Sequence, residues 1–291
     1  MIIIKIKGGL GNQMFQYAFG WILAKKYNED LLLDTSVYGE KKINGIAKRE
    51  FGLEIFNNDY LLASETDINS FLELSLIQQI RKKIGLNFRK IYNDRVFKYN
   101  PSALQLPPPI YLNGYFQSYR YFKGRESAVR NLFNFDIKNI DQSNLEFMQD
   151  MEHSSSVAIH VRRGDYVENE KTKSFHGGCS LEYYKRSISY IKDRIINPKL
   201  FFFSDDIEWV RKNFNVGLSS VFVEHNQGSD SWKDMLLISN CKHQIIANSS
   251  FSWWGAWLND NPEKIVVAPA RWLAKKEIDM NDLIPSTWVR L

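Results

Sequence analysis

The stretch VAIHVRRGDY at residues 157–166 decides the fold of the second half of the chain. An apolar run followed by two arginines, a glycine and an aspartate predicts a buried strand that delivers cations to a loop. Side chains alternate along a strand, so His160 and Arg162 share one face and Arg163 lies on the other. Because a guanidinium stays charged and grips phosphate oxygens with paired donors, Arg162 is a candidate anion ligand. The alternative is an arginine that is simply ion-paired at a strand end.

Helices and strands alternate from this stretch onward. The pattern predicts helices at 181–196, 206–214, 230–240 and 250–258, and strands at 200–204, 220–224, 244–247 and 264–267. Strands that alternate with helices indicate a parallel sheet covered by helices on its faces.

The N-terminal half contains a similar pattern. A strand at 2–6, a glycine turn at 8–11, a helix at 12–27 and a strand at 31–34 predict one βαβ unit. Residues 40–106 look mostly helical and polar; the remaining predicted elements are helices near 59–64 and 67–84, a strand at 110–116 and helical structure at 120–151. Three serines at 154–156 mark the domain boundary. We therefore predict an α/β protein of two Rossmann-like βα domains, residues 1–153 and 154–291, that face a ligand cleft.

Composition narrows the class of protein. The chain has 291 residues, 44% of them hydrophobic, which is ordinary for a globular protein with sizeable cores. The net charge of +5 suits an anionic ligand or a peripheral contact with an anionic membrane face, and no nucleic-acid-binding signature is present. Cys179 and Cys241 have no metal or redox spacing. The N-terminus lacks the pattern of a signal peptide, so we expect a cytoplasmic protein.

Three further motifs accompany residues 157–166: GGLGNQMFQY at 8–17, GYFQ at 114–117 and NSSFSWWG at 248–255. Together, in this order and spacing, they resemble the bacterial-type α1,2-fucosyltransferase family, glycosyltransferase family 11, over essentially the whole chain. The resemblance implies a GT-B fold with an N-terminal acceptor-side domain and a C-terminal domain for GDP-fucose. It also implies an inverting transfer of L-fucose from GDP-β-L-fucose to the 2-hydroxyl of a galactoside, with no metal and no cofactor. The acceptor would be a galactose-terminated oligosaccharide or lipid-linked glycan of a surface polysaccharide such as the lipopolysaccharide O-antigen.

The N-terminal turn permits two other interpretations. Gly9, Gly11 and Asp34 make up much of a dinucleotide-binding fingerprint, but Met14 replaces its third glycine. The resemblance instead implies that Asn12 and Gln13 hydrogen-bond to sugar hydroxyls. A third possibility is a tight turn in which Asn12 caps the helix.

Asp205 and Asp206 follow the predicted strand at 200–204, at the end where open α/β sheets bind ligands. Two adjacent aspartates do not make a metal-ligand set, so we expect no metal here. Asp206 is a candidate contact to the nucleotide sugar, and the alternative is a cap of the following helix.

The segment Asn248–Phe251 lies between a predicted strand and a predicted helix. Free backbone amides and the helix dipole make such a start an anion site, so Ser249, Ser250 and Phe251 are candidates for diphosphate binding. More distant α1,6-fucosyltransferases share the His-x-Arg-Arg pattern and an Asp sixteen residues before the Ser, here Asp234. This wider resemblance implies that Asp234 and His160 meet guanine and that Arg162 and Ser250 hold the β-phosphate. Trp253, Trp254 and Trp257 have helical spacing and are expected in the core.

The residues that act on the acceptor are the least determined by sequence. Tyr115, Gln117 and His176 are candidate acceptor-side contacts. Asp165 is the preferred catalytic carboxylate beside Arg162; Glu168 and Glu170 compete with it, and Glu170 has the offset of the α1,6 family's base. The alternatives are a different linkage, another GDP-sugar, or a silent nucleotide- or glycan-binding protein on the same fold. The oligomeric state is not indicated.

Overall fold

The computed structural model describes residues 1–39, 50–73, 90–94, 98–163, 177–274 and 281–291. Contacts within the chain divide it into two compact units. The first comprises Met1–Asn134 and Asn281–Leu283, and the second comprises Phe135–Met280 and Ile284–Leu291. Both are built on a parallel β-sheet, which confirms the predicted α/β class.

The first unit has a five-stranded sheet in the order β3-β2-β1-β5-β4, with every neighbouring pair parallel. Its strands are β1 (Ile2–Lys5), β2 (Leu31–Asp34), β3 (Leu61–Leu62), β4 (Lys90–Asn93) and β5 (Ile110–Asn113). Ile2, Ile3 and Ile4 of the central strand are fully buried, as expected for a strand covered on both faces.

Helix α1 (Leu10–Tyr27) is the main helix of this unit. Its apolar residues are buried along most of its length. The helix also lies close to β2, since a Cβ added at Gly20 would be only 2.8 Å from Leu31 Cδ1. Lys25 and Lys26 in the last turn complement the helix dipole, and Asn28 ends the helix in the left-handed conformation with φ of 51°.

The second unit has a six-stranded parallel sheet in the order β11-β10-β9-β6-β7-β8. Its strands are β6 (Ser155–Val161), β7 (Pro198–Ser204), β8 (Ser220–Val223), β9 (His243–Ile245), β10 (Val266–Ala268) and β11 (Val289–Arg290). Alternate residues of β6 enter two cores. Val157, Ile159 and Val161 lie in one core, and Ala158 lies in the other with Phe201 and Phe203. This burial on both sides explains the nearly continuous apolar runs in the sequence.

Seven further helices complete the described elements: α2 (Glu65–Leu72), α3 (Glu126–Asn131), α4 (Gln142–His153), α5 (Leu181–Lys192), α6 (Ile207–Asn213), α7 (Trp232–Asn240) and α8 (Ser250–Leu258). Short 3₁₀ turns occur at 36–38, 53–55, 101–105, 119–122, 137–139 and 228–230. Both cysteines are free thiols, and no helix among the described residues is long and apolar enough to cross a membrane.

Three local predictions differ from the structure. The helix predicted near 59–64 is wrong because Leu61–Leu62 pair with β2 as a short edge strand. The helical, polar character given to 40–106 misses β4, and the helical segment at 120–151 is interrupted between α3 and α4.

Helix α4 belongs to the second unit because Met151 packs in the core with Ala158 and Phe201. The contact boundary therefore precedes α4, whereas the serines that suggested a boundary follow it.

Candidate functional site

Three neighbouring strands of the second unit end at the same edge of their sheet. Strand β6 pairs in parallel with β7 on one side and β9 on the other, so their carboxyl ends meet. Arg162 and Arg163 follow β6, Asp205 and Asp206 follow β7, and Ser249 and Ser250 come shortly after β9. Open parallel sheets bind ligands at this edge.

The two arginines face different partners, as strand alternation predicts. Arg162 Nη1 lies 2.9 Å from Asp205 Oδ2. Arg163 Nε donates to Asp206 Oδ2 at 3.1 Å, and its guanidinium stacks over Trp209 at 3.7 Å from the ring centroid. Arg162 is therefore held by a carboxylate at the carboxyl-end edge of the sheet, while Arg163 braces the beginning of α6.

The aspartates after β7 are engaged with the protein. Asp205 Oδ1 accepts from the Arg163 amide at 2.8 Å. Asp206 Oδ1 caps α6 by accepting from the Trp209 amide at 3.2 Å, which is the alternative role considered from sequence. Among the described residues no group of three or more His, Cys, Asp or Glu side chains is arranged to hold a metal ion.

His160 is buried, and its ring connects two motifs that lie far apart in sequence. The ring centroid lies 5.8 Å from that of Phe251, in the first turn of α8. Burial, opposed by the charge of Asp205 and assisted by Arg162, holds the pKa of His160 well below its ordinary value, so the imidazole is neutral. Within the described part of the chain its Nδ1 has no hydrogen-bond partner. A buried ring nitrogen in this state is available to a polar ligand group.

The start of α8 is fixed by side chains around it. Ser249 Oγ caps the helix by accepting from the Phe251 amide at 3.3 Å. Asn248 Nδ2 donates to the carbonyls of Gly177 at 2.8 Å and Trp272 at 3.0 Å. Trp253, Trp254 and Trp257 are buried and pack ring against ring, which confirms the prediction that they belong to the core.

Asp234 lies in the first turn of α7. Burial raises its pKa to about 7, and a hydrogen bond from Asn226 Nδ2 to Asp234 Oδ1 at 2.9 Å opposes the rise. Asp234 is thus a carboxyl group whose charge changes near neutral pH, and such groups are frequent at functional sites.

The first unit places its motif residues at the carboxyl ends of β1 and β5. Gly8 has a φ of 84°, and a Cβ there would lie 2.7 Å from Asn12 Nδ2. Helix α1 is preceded by Gly9 and has no side-chain cap, so the interpretation of Asn12 as a cap is wrong. Asn12 Oδ1 instead accepts from Gln117 Nε2 at 2.7 Å, which joins the motifs at 8–17 and 114–117.

Gln13 is fully buried and its amide is used within the protein. Nε2 donates to the carbonyls of Gly8 at 3.1 Å and Glu50 at 2.8 Å, and Oε1 accepts from the Gly52 amide at 2.9 Å. A direct contact between Gln13 and a sugar would require these bonds to break. In this structure Gln13 holds the glycine turn in place.

Tyr115 and its neighbours form the second half of this edge. Lys7 Nζ lies 5.0 Å from the Tyr115 ring centroid and donates to Asn113 Oδ1 at 2.8 Å. Phe116 adopts a φ of 50°, unusual for a side chain of this size, and its amide donates to Asp94 Oδ2 at 3.2 Å. The left-handed Phe116 turns the chain so that Gln117 meets Asn12.

The dinucleotide interpretation has little support in this geometry. Asp34, the acidic residue of the fingerprint, is buried. Its Oδ1 accepts from the Ser36 amide at 3.0 Å and its Oδ2 accepts from the Tyr111 hydroxyl. A carboxylate engaged in this way is not presented to the ribose of a cofactor.

Sequence reasoning missed the buried polar residues that support both edges. Gln16 Nε2 donates to the Gly114 carbonyl at 3.2 Å and its Oε1 accepts from the Lys7 amide at 2.9 Å. Gln16 lies within the N-terminal motif, and its apolar neighbours were the available signal. Asp94, Asn144 and Asn226 carry no comparable local signal. Asp165, Glu168, Glu170 and His176 lie outside the described residues, so their assigned roles stay predictions.

Comparison with known proteins gives consistent relatives. An Escherichia coli protein named alpha-1,2-colitosyltransferase is 35% identical over 100% of this chain and 99% of its own. The Escherichia coli O-antigen biosynthesis glycosyltransferase WbnK is 33% identical over 98% of this chain and 99% of its own. Galactoside alpha-(1,2)-fucosyltransferase 1 of Leontocebus fuscicollis is 31% identical over 35% of this chain and 28% of its own.

A solved structure supports the fold. A mutant of Arabidopsis thaliana FUT1 in complex with GDP aligns with a TM-score of 0.50 and 12% identity, covering 91% of this chain and 69% of that one. The model of the family described as glycosyl transferase family 11 matches residues 1–291. The chain belongs to glycosyltransferase family 11.

Proposed function

We propose that this protein transfers L-fucose from GDP-β-L-fucose to the 2-hydroxyl of a galactoside, with inversion at the anomeric carbon. Family membership and the names of the relatives support a glycosyl transfer that forms an α1,2 linkage. The O-antigen role of a relative similar over nearly its whole length favours a surface glycan, free or lipid-linked, as the acceptor. A lipid-linked acceptor would bring the protein into peripheral contact with the membrane.

The contact between the end of β6 and the beginning of α8 carries this proposal. The His160 ring meets Phe251 at the start of α8, and Arg162, two residues after His160, is held by Asp205. A guanidinium held at the end of β6, together with a helix N-terminus that contacts the same strand through His160, suits a diphosphate better than a neutral ligand. We assign the β-phosphate to Arg162 and to the segment Ser249–Phe251.

The guanine base of GDP would be recognised by Asp234 together with His160. Guanine presents N1–H and N2–H₂ donors on its Watson–Crick edge, which an ionised carboxylate accepts. Adenine presents an unprotonated N1 in the same place. The neutral His160 ring, with its orphan Nδ1, offers a hydrogen-bonding group that is not in competition with a protein partner among the described residues.

The reaction exchanges one bond for another at the anomeric carbon. The bond from C1 to the β-phosphate oxygen breaks as a bond forms to the galactose 2-oxygen, and the hydroxyl proton passes to a carboxylate. Negative charge grows on the departing GDP, so Arg162 and the α8 amides lower the barrier by binding the transition state more tightly than the substrate. We assign to Asp165 the role of accepting the proton of the galactose 2-hydroxyl. Glu168 and Glu170 are the alternatives. Asn12 is assigned to the hydroxyls of the nucleotide sugar, and Tyr115, Gln117 and His176 are assigned to the acceptor. Asp206 stays a candidate contact to the nucleotide sugar.

Incubation with GDP-fucose and a panel of β-galactosides, followed by NMR of the product, tests the proposal. We expect an α-fucosyl residue on O2 of galactose. Fucose on any other oxygen would contradict the linkage. GDP binding without transfer or hydrolysis of GDP-fucose would support a silent nucleotide-binding protein.

A second candidate function is transfer of colitose, which lacks the 3-hydroxyl of fucose. It is favoured by the name of the relative that is 35% identical over the whole chain. A competition between GDP-fucose and GDP-colitose at equal concentrations separates the two. We expect a higher kcat/KM for GDP-fucose, and a higher value for GDP-colitose would replace fucose by colitose in the proposal.

A further inference from the structure

Two buried asparagines, Asn144 and Asn226, form a hydrogen-bonded pair next to Asp234. Asn144 is in the first turn of α4 and is fully buried, and Asn226 follows β8 and is only 8% exposed. Each side-chain amide donates to the other's carbonyl oxygen at 2.9 Å. The two therefore form a closed amide dimer inside the second unit.

Both ends of this dimer are tied to a carboxylate. Asn144 Nδ2 donates its second hydrogen to Asp141 Oδ2 at 2.7 Å, and Asn226 Nδ2 donates its second hydrogen to Asp234 Oδ1 at 2.9 Å. An ionised carboxylate only accepts hydrogen bonds, so the two acids fix the orientation of both amides. All four amide hydrogens are then used.

The two carboxylates at the ends differ in their surroundings. Burial raises the pKa of Asp141, but hydrogen bonds from Asn144 and Lys233 outweigh it and hold that pKa well below its ordinary value. Asp141 is also ion-paired with Lys233 at 3.0 Å. Asp141 is a permanently charged anchor, whereas Asp234 accepts from one amide donor and has no cationic partner among the described residues.

We infer that Asn226, braced by Asn144, is a positioning residue that orients the Asp234 carboxylate for a guanine base. The inference rests on the proposed contact between Asp234 and guanine. Asn226 fixes one carboxylate oxygen and leaves the other for the ligand, and its donated hydrogen bond favours the ionised form that guanine requires. The dimer connects Asn226 to the capped first turn of α4, where Asp141 accepts from the Asn144 amide.

Several titratable groups on the elements around Asp234 have partners of their own: Lys233 pairs with Asp141 and Asp230, Lys199 with Asp150, and Arg211 with Glu224. The His225 ring stacks on Phe147, and burial lowers the pKa of His160. Helix α8 contributes no titratable residue. A change at Asn226 therefore acts on Asp234 without removing a charge.

The experiment measures the dissociation constants of GDP and ADP from pH 6 to pH 9 for wild type and Asn226→Ala by calorimetry. Loss of the donor raises the pKa of Asp234, by about one unit for a lost hydrogen bond of ordinary strength to the charged form. We expect GDP binding to weaken about fivefold to tenfold at pH 6–7 and little at pH 9, with ADP binding unchanged. The pH at which GDP affinity falls then moves upward.

Asn259→Ala is the matched control. Asn259 is buried to a similar degree, 5% exposed, and its amide donates to the Cys241 carbonyl at 2.8 Å, outside the dimer. The Asn259→Ala variant also loses a buried side-chain amide and therefore some stability. Its GDP affinity should nevertheless keep the pH dependence of the wild type. If Asn226→Ala does not fold, Asn226→Ser keeps a shorter donor and should shift the profile in the same direction by less.

The outcomes separate the inference from the proposed function. If a folded Asn226 variant keeps the wild-type profile while Asp234→Ala loses the preference for GDP over ADP, the positioning role is overturned and the guanine contact stands. If Asp234→Ala keeps that preference, the guanine contact fails and the inference fails with it. An equal shift in Asn259→Ala would reduce Asn226 to a purely structural residue.

Discussion

The carboxyl-end edges of the two sheets are built from different chemistry. In the first unit, neutral amides tie the edge together: Gln13 and Gln16 hold backbone carbonyls, and Gln117 meets Asn12. In the second unit, Arg162 and Arg163 pair with Asp205 and Asp206 beside a helix start. An edge of amides suits the hydroxyls of a glycan, and an edge with fixed cations suits a diphosphate.

The charged residues of the first edge reinforce this contrast. Burial lowers the pKa of Lys7 and raises the pKa of Asp94 to about 6, so both are pushed toward their neutral forms. The second edge instead carries guanidinium groups, which as a class are the most strongly basic side chains. We propose that the nucleotide binds to the second unit and the acceptor to the first, and each proposal can be tested alone.

The largest effect is expected from Arg162→Ala. Loss of a charge-assisted contact costs about 1.5–3 kcal/mol, which is about 10- to 150-fold in GDP affinity. Turnover should fall further because the contact strengthens as GDP departs. GDP calorimetry and steady-state kinetics measure both quantities.

Arg163→Ala is the control for that change. It removes the Trp209 stacking and the bond to Asp206, so it should lower thermal stability more than GDP affinity. Equal loss of GDP affinity in the two variants would contradict the division of roles between the two faces of the strand.

The next largest effect is expected in the pH dependence of the preference for GDP over ADP. The pKa of Asp234 is raised to about 7, so its carboxylate is present above that pH and is lost as the pH falls through it. The ratio of GDP affinity to ADP affinity should therefore fall about tenfold between pH 8 and pH 6. Using the ratio cancels the titration of the phosphates, and a flat ratio would remove Asp234 from the base site.

A smaller effect is expected from Gln117→Ala in the first unit. It loses one neutral hydrogen bond to Asn12, worth about 0.5–1.5 kcal/mol. We expect a severalfold higher KM for the acceptor and an unchanged dissociation constant for GDP. A change in GDP affinity of the same size would blur the distinction between the two edges.

Gln13→Ala should act on stability rather than on binding. It removes the hydrogen bonds to the Gly8 and Glu50 carbonyls and from the Gly52 amide, although the Gly8 carbonyl still accepts from the Tyr38 hydroxyl. Each lost hydrogen bond costs about 0.5–1.5 kcal/mol. Thermal unfolding should show the loss. An altered KM for GDP-fucose at wild-type stability would instead support Gln13 as a direct contact to the nucleotide sugar.

The smallest effect is predicted for metal removal. Dialysis against EDTA should leave transfer unchanged, because we assign the charge on the leaving group to Arg162 and the start of α8. Activity lost on EDTA treatment and recovered with Mn²⁺ or Mg²⁺ would show that Asp205 and Asp206 have a different role.

Sequence was sufficient for the elements that are buried on both faces. Strands β6 and β7 and helix α8 appear in the sequence as apolar runs with clear ends. Arg162 and Asp205 could therefore be placed at strand ends, and Ser249 at a helix start, from the sequence. Leu61 and Leu62 are 52% and 58% exposed, and such a short edge strand leaves no burial pattern in the sequence.

The supporting polar contacts could not be predicted because they are not local. Asn144 and Asn226 meet across 82 residues, and Asn12 and Gln117 meet across 105. The left-handed Phe116 is stabilised by a hydrogen bond from its amide to Asp94, a tertiary contact that no residue propensity indicates. Sequence identified the candidate side chains, and the structure shows which of them are already used within the fold.

A crystal structure of the complex with GDP tests the central assignment most directly. We predict the β-phosphate within hydrogen-bond distance of the Arg162 guanidinium and of the backbone amides at Ser250 and Phe251, with guanine against Asp234. A diphosphate bound instead at the Gly8–Gly11 turn of the first unit would contradict the account and restore the dinucleotide interpretation of that turn.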